Sequence, residues 1–316
     1  MEFASDDILR TTMHSTGKHN MISRSATLAR RAVLMAAGIS LVAAPLFAVP
    51  DVVQAEELDM INRPVNADGM TGLLVTTAPF TLPQRTLEVG VASITEDSHI
   101  PDFTVTTYPV ILAYGLRDSE IALRASYLKL NVTDPVTGTT TDMRGVGDTT
   151  ISYKWNFRKQ QEYSMAPAWS IFLTGILPTG DRNAGTNSVD HWGARLGISV
   201  GSEIELEDYT LGVYADGQLA VQDLSDSRVR DRKQYFNAGM LLPISKSRNL
   251  QMLVEYNAMG GEDVSHQFDT NYTAVTYGIR LVSERFNLSF GAQFIHHTVV
   301  GRDDTSKIYS MISVKI

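Results

Sequence analysis

From Arg85 to the C-terminus, apolar and polar side chains alternate in segments of about ten to fourteen residues, with turn residues between them. Successive side chains of a strand point to opposite faces, so a period of two reads as β-structure with one greasy and one wet face. The pattern predicts strands near Arg85–Glu96, Phe103–Leu116, Glu120–Asn131, Gly147–Arg158, Tyr163–Leu177 and Asp190–Ser202. A second set follows near Asp208–Val221, Arg232–Ser245, Asn249–Gly260, Asn271–Ser283, Phe286–Thr298 and Ser306–Ile316. That makes about twelve, each long enough to cross a bilayer when tilted, and no useful helical period survives between them.

The connections add a second regularity. Arg117–Ser119, Lys159–Glu162, Glu203–Glu207, Lys246–Arg248 and Glu284–Arg285 are short. Val132–Val146, Pro178–Val189, Gln222–Asp231 and Gly261–Thr270 are longer and polar. Transmembrane barrels segregate their loops in this way, with tight periplasmic turns and longer outer loops. A soluble β-sandwich has no reason to do so. The expected fold class is therefore all-β: a closed up-and-down antiparallel transmembrane barrel of about twelve strands over residues 85–316.

Strand parity then assigns each face. Ile151, Tyr153, Trp155 and Phe157 share one side of their strand, as do Tyr108, Val110, Leu112 and Tyr114 on an earlier one. Aromatics gather near strand ends: Tyr114, Trp155, Phe157, Tyr209 and Phe286 on the short-turn side, Trp192, Phe236 and Phe294 on the other. Two girdles on a lipid-facing band have this appearance. The opposite parity collects Glu88, Arg124, Lys154, Arg195, Asp216, Glu255 and Arg280. An Arg or Lys facing lipid at mid-membrane costs about 2–4 kcal/mol, so these seven are expected inside, lining a solute path. On that reading Lys154→Glu changes ion selectivity and leaves the fold intact. A twelve-stranded barrel is wider than one that side chains fill and narrower than the large porins, which favours a restricted path over an open one.

Ahead of the barrel, Arg24, Arg30 and Arg31 precede the apolar run Ala32–Ala48, and Val53-Gln54-Ala55 offers a small-residue cleavage site. This is the order of a secretory signal peptide, with Met21 read as the start and residues 1–20 as an upstream extension. Residues 56–84, with Pro64, Gly69, Gly72, Pro79 and Pro83, show neither period. They form an irregular periplasmic leader or a hatch folded into the lumen, and the pattern favours the leader.

Composition removes other classes. The chain has no cysteine, which excludes thiol nucleophiles, Cys metal sites and disulfides. The formal net charge is -8, and such a chain has no general attraction for nucleic acid. The mean hydropathy of -0.07 is unlike that of a helical membrane protein, but alternation cancels in any barrel average. His296-His297 places one ring on each face near the outer rim, and His191 and His266 fall in loops without a serine arrangement that makes a triad. The acidic loop groups Asp223/Asp226/Asp231 and Glu262/Asp263/Asp269 lack ordered cation-ligand spacing. No cofactor, metal site or catalytic residue is expected, and the chain is not expected to be an enzyme. The alternatives to a channel are an outer-membrane lipid-acting enzyme and a closed barrel serving as a structural or surface-binding protein.

Gly145-Val-Gly-Asp-Thr-Thr-Ile-Ser-Tyr-Lys154 and Leu177-Pro-Thr-Gly-Asp181 resemble the outer-membrane family named for the meta-pathway of phenol degradation. Thr76-Thr-Ala-Pro-Phe-Thr-Leu-Pro83 leading into Glu88-Val-Gly90 is similar to that family's entry to its first strand, and Tyr114-Gly-Leu-Arg-Asp118 is similar to its next turn. The resemblance runs from about Thr76 to the C-terminus. It implies a bacterial outer-membrane barrel for passive uptake of small hydrophobic or aromatic molecules. Its surroundings would be the lipid bilayer, lipopolysaccharide and the outer-membrane insertion machinery. One departure is the last residue, Ile316, where such strands commonly end in an aromatic ring.

Overall fold

The computed structural model describes residues 61–99, 102–134, 137–160, 166–181, 192–206, 209–223, 230–244, 249–262, 271–298 and 304–316. The expected signal peptide with Met21, and the loop residues His191, Asp226, Asp263, His266 and Asp269, lie outside them.

Thirteen strands form one antiparallel sheet: β1 (Leu87–His99), β2 (Asp102–Gly115), β3 (Ser119–Thr133), β4 (Thr140–Val146), β5 (Thr149–Arg158), β6 (Ala168–Leu177), β7 (Gly193–Leu206), β8 (Tyr209–Asp223), β9 (Arg230–Pro243), β10 (Leu250–Glu262), β11 (Tyr272–Val282), β12 (Phe286–His297) and β13 (Thr305–Lys315). Consecutive strands pair except β4 with β5, which both pair with β3, and β1 pairs with both β2 and β13, which closes the sheet. The seam is in register at Glu88 opposite Lys315, and Leu87 and Ile316 exchange both backbone hydrogen bonds. Closure pairs every described strand on both sides except β4, which pairs with β3 alone, and such pairing is what a backbone in hydrocarbon requires.

The barrel has twelve staves, because β4 and β5 together make one. β3 pairs with β5 from Ser119–Trp155 to Arg124–Thr150, then with β4 from Tyr127–Val146 to Thr133–Thr140. Between these runs Gly147 and Asp148 put one extra residue against Ser126, a β-bulge, and the Gly147 amide donates to the Ser126 carbonyl at 2.8 Å. A Cβ at residue 147 would lie 2.2 Å from Leu128 Cδ1 and 2.7 Å from Ser126 Oγ, so a larger residue there would displace both side chains. The expected strand start at Gly147 is therefore a bulge, and the expected loop Val132–Val146 is largely strand.

Two connections depart from expectation. The β1–β2 link spans only residues 100–101 although it lies on the outer side. The β5–β6 link begins after Arg158 and ends at Ala168, five residues later than the pattern suggested. The first strand also starts later, because Arg85 holds a φ of 66°, a bend and not a strand conformation.

The faces follow parity. Tyr108, Val110, Leu112, Tyr114, Ile151, Tyr153, Trp155, Phe157, Leu196 and Ile198 are all exposed on the outer surface. Trp192, Phe236 and Phe294 are exposed near the outer rim, and Tyr114, Trp155, Phe157 and Tyr209 near the periplasmic one. A closed sheet with an apolar outer band and aromatic ends is an outer-membrane barrel. The buried core lies inside the barrel.

Candidate functional site: the occupied lumen

A twelve-stave barrel leaves a lumen that wall side chains alone do not fill. Here residues 61–82 enter it. Leu73, Leu74, Ile61, Ala78 and Phe80 pack against Ala168, Tyr214, Leu241, Leu253 and Tyr309 of the wall. Val65 and Leu82 pack on Ile111, Ala113, Ala122 and Met311. The wall makes room with small residues. A Cβ at Gly239 would meet Leu73 Cδ1 at 2.4 Å, and Cβ atoms at Gly278 and Gly291 would meet Leu74 Cδ1 at 2.7 and 2.3 Å.

This hatch has almost no sheet of its own, only the isolated bridges Val65–Thr71 and Gly72–Thr77. Asn66 organises the first bend: its Oδ1 accepts from the amides of Asp68 at 3.0 Å and Met70 at 3.1 Å. The remaining backbone groups need partners from the wall, since a buried amide or carbonyl left unpaired is costly.

Inward-facing ionised side chains supply those partners. Glu255 accepts from three successive amides, Leu74 at 2.9 Å, Val75 at 3.1 Å and Thr76 at 2.6 Å. Asp216 accepts from the Thr77 amide at 2.8 Å. Arg280 donates to the carbonyls of Gly72 at 3.1 Å and Leu73 at 2.9 Å. Lys154 donates to the carbonyls of Thr71 at 3.1 Å and Ala78 at 3.0 Å, and Glu88 accepts from the Val65 amide at 3.3 Å. Anions meet amides and cations meet carbonyls throughout, so each contact is charge-assisted.

All seven sequence-derived residues point inward. Five of them (Glu88, Lys154, Asp216, Glu255 and Arg280) are 0–2% exposed and bonded to the hatch, so they hold a segment of chain and do not face an open passage. Arg124 and Arg195 are half-buried on the outer side of the hatch. Arg195 pairs with Asp68 of the hatch at 2.9 Å and lies over the Tyr235 ring. Burial alone would raise the Asp68 carboxyl, and the facing Arg195 and Arg124 overcome it and hold it below its usual range.

Sequence reasoning missed Glu120. Its carboxylate accepts from the amides of Thr71 at 2.8 Å and Leu82 at 2.9 Å, and pairs with Lys154 at 2.9 Å. The signal was available, because Glu120 lies on the inward parity four residues before Arg124. It also missed Glu203, which pairs with Arg63 of the hatch at 2.9 Å while Arg63 stacks 3.8 Å from the Phe80 ring centre.

Above the hatch anchors runs a belt of uncharged wall residues. Asp216 accepts from Asn237 at 2.9 Å, Asn237 from Asn257 at 3.0 Å, Asn257 from Gln293 at 2.9 Å, and Gln293 from the Tyr309 hydroxyl at 2.9 Å. Staves β8, β9, β10, β12 and β13 are thus tied on the wet face, the Asn257–Gln293 bond reaching past β11.

Two cavities flank the hatch. One of about 760 Å³ opens at the periplasmic mouth among Ile61, Arg63, Phe80, Asn156, Lys159 and Lys315. The other, about 210 Å³, lies on the outer side among Ala67, Asp68, Leu74, Ile94, Arg124 and Lys307. At the outer rim His296 contacts Asp304 at 2.7 Å and His297 contacts Thr305 at 3.2 Å, one ring on each face. Among the described residues no group of three His, Asp or Glu is placed to hold a metal ion.

The two rim motifs meet across β5 and β6. The Thr149 amide donates to Thr179 Oγ1 at 2.8 Å, the Gly180 amide to Asp148 Oδ1 at 2.8 Å, and the Asp181 amide to the Val146 carbonyl at 3.0 Å. Gly145–Thr150 and Leu177–Asp181 therefore build one joint beside the bulge.

Among solved structures, the chain is similar to LpxR from Salmonella typhimurium at 9% identity, covering 72% of this chain and 99% of that one with a TM-score of 0.47. It is also similar to the transport unit of the autotransporter AIDA-I from Escherichia coli at 9% identity, 73% and 89% coverage and a TM-score of 0.45. A third is the CymD monoaromatic hydrocarbon channel, at 9% identity, 81% and 98% coverage and a TM-score of 0.39. No curated protein sequence matches. Residues 83–211, which carry β1 to β7 and both rim motifs, match the family described as "Putative MetA-pathway of phenol degradation", the family those motifs resemble.

Proposed function

We propose that this protein is a hatch-gated outer-membrane channel for the passive passage of small molecules, aromatic or otherwise largely apolar. The observation that carries the reading is the way the lumen is filled. The occupant is an irregular segment of the chain, residues 61–82, held by exchangeable hydrogen bonds and ion pairs as well as apolar packing, with a cavity on either side of it. Polar contacts of this kind can be handed over to water as the segment shifts, which a core of interlocked wall side chains does not allow. The family description supports aromatic compounds as the solute class. The reading invokes no cofactor and no energy source.

The absence of cysteine makes a direct test possible. Leu73 touches the wall at Gly239, so Leu73→Cys with Gly239→Cys places two thiols at the hatch–wall contact. In planar bilayers and liposome-swelling assays with phenol, the oxidised variant is expected to be closed and the reduced variant to pass solute. Equal permeability in the two redox states, or conductance indistinguishable from bare lipid for the unmodified chain, would sink the gated-channel reading.

A further inference from the structure

We infer that the cavity on the outer side of the hatch is a binding site for a small mono-anionic solute, a carboxylate on an apolar body, with Arg124 as its anchor. Calling that ligand a transported solute rests on the channel reading; the site itself does not.

Ion pairing around the cavity singles out one group. Arg124 and Lys307 line it with the carboxylates Asp68 and Glu96, and Arg195 stands beside it. Lys307 is matched by Glu96 at 3.0 Å and Arg195 by Asp68 at 2.9 Å. Arg124 forms no ion pair within 4.0 Å among the described residues, and its enclosed Nε finds no protein acceptor. An enclosed guanidinium N–H is costly to leave without an acceptor, and the planar fork of this half-buried side chain matches a carboxylate.

The walls give the rest of the ligand. Ala67, Leu74, Val75, Ile94 and Val105 are apolar, and Tyr309 adds a ring. At about 210 Å³ the space is below the range of drug-sized pockets, which starts at roughly 300 Å³. It suits a single-ring molecule. The cavity on the other side of the hatch is positive: Arg63, Arg117, Lys159, Arg285 and Lys315 line it against Glu284. Even with Glu203 and Asp118, which pair with Arg63 and Lys159, cations outnumber carboxylates there. An anion passing the hatch would move between that positive chamber and Arg124.

The test is isothermal titration of the full-length purified barrel with benzoate, with benzyl alcohol as its neutral counterpart and acetate as the head group without a ring. Benzoate is expected to bind at least tenfold more tightly than either. Arg124→Gln should weaken benzoate at least tenfold and leave benzyl alcohol unchanged. Arg124→Lys, which keeps the charge and loses the fork, should fall between, and heat-modifiable migration on a gel confirms that each variant is folded. Equal binding of benzoate and benzyl alcohol, acetate binding as tightly as benzoate, no benzoate binding at millimolar concentration, or full benzoate affinity in folded Arg124→Gln would each overturn the assignment. Benzoate binding in a barrel that never conducts would retire the channel and leave the site. Conduction of phenol without benzoate binding would do the reverse.

Discussion

Glu120 and Lys154 stand directly opposite each other on β3 and β5 and form a 2.9 Å ion pair with neither side chain exposed. Both also hold the hatch, the carboxylate through amides and the ammonium through carbonyls. This reverses the expectation for Lys154→Glu, because the substitution sets two carboxylates together in a closed site. It should block assembly, seen as loss of the heat-modifiable band, and not merely alter ion selectivity. Lys154→Met, which leaves Glu120 uncompensated, should cost about 3–5 kcal/mol in urea unfolding. Pairing it with Glu120→Gln should recover part of that loss, since neither position of the pair then carries a charge.

Glu255 gathers three hatch amides on one carboxylate. Glu255→Gln keeps the shape, removes the charge and turns one oxygen into a donor facing donors. Hydrogen bonds to a charged group contribute about 1.5–3 kcal/mol each, so the hatch should loosen while the wall stands. Limited proteolysis should then cut between Thr71 and Ala78, and mean conductance should rise, with heat-modifiable migration retained. A hatch as protease-resistant as that of the unmodified chain would count against the clamp.

Leu74 needs the space left by two wall glycines. Gly291→Ala places a methyl 2.3 Å from Leu74 Cδ1 and should destabilise by about 1–3 kcal/mol through overpacking. Leu74→Ala in the same chain should restore much of the loss. A double-mutant cycle on the urea midpoint reads the coupling, and additive costs would mean that the leucine and the glycine do not meet.

Leu196 is exposed on the outer face of β7. Leu196→Arg should lower insertion stability by up to about 2–4 kcal/mol, depending on its depth in the bilayer. Leu196→Phe should be close to neutral. Refolding yield into lipid vesicles distinguishes the two.

Much of this molecule is legible in its sequence, and the boundary has a physical cause. A period of two fixes which way each strand residue points, so Trp155 outward and Lys154 inward follow from counting. What an inward residue touches does not follow, because its neighbour comes from a segment without any period. Residues 61–82 are irregular because their backbone groups divide between one another and the carboxylates, ammonium and guanidinium groups of the wall, and no repeat in the segment records that. Proline and glycine there look like the marks of a loose leader. Gly72 and Pro79 instead stand where the chain bends inside a packed space: a Cβ at residue 72 would lie 2.2 Å from the Thr76 carbonyl oxygen, and the Pro79 carbonyl accepts from Asn156. The bulge at Gly147 was misread for a related reason, since Gly-Asp marks both a turn and an extra residue in a continuing strand.

The seam between β1 and β13 is bound to the hatch by a side chain from each strand. Glu88 accepts from the Val65 amide, from Ser313 on β13 and from Asn287 on β12, and Lys315 reaches Asn62. These partners come from both ends of the described chain. Glu88 on β1 and Lys315 on β13 both hold the hatch, so this part of its seat is complete only once those two strands have paired. Zipping of the last stave to the first and seating of the hatch then become a single cooperative step, and an incomplete barrel has no stable place for the segment that will close it.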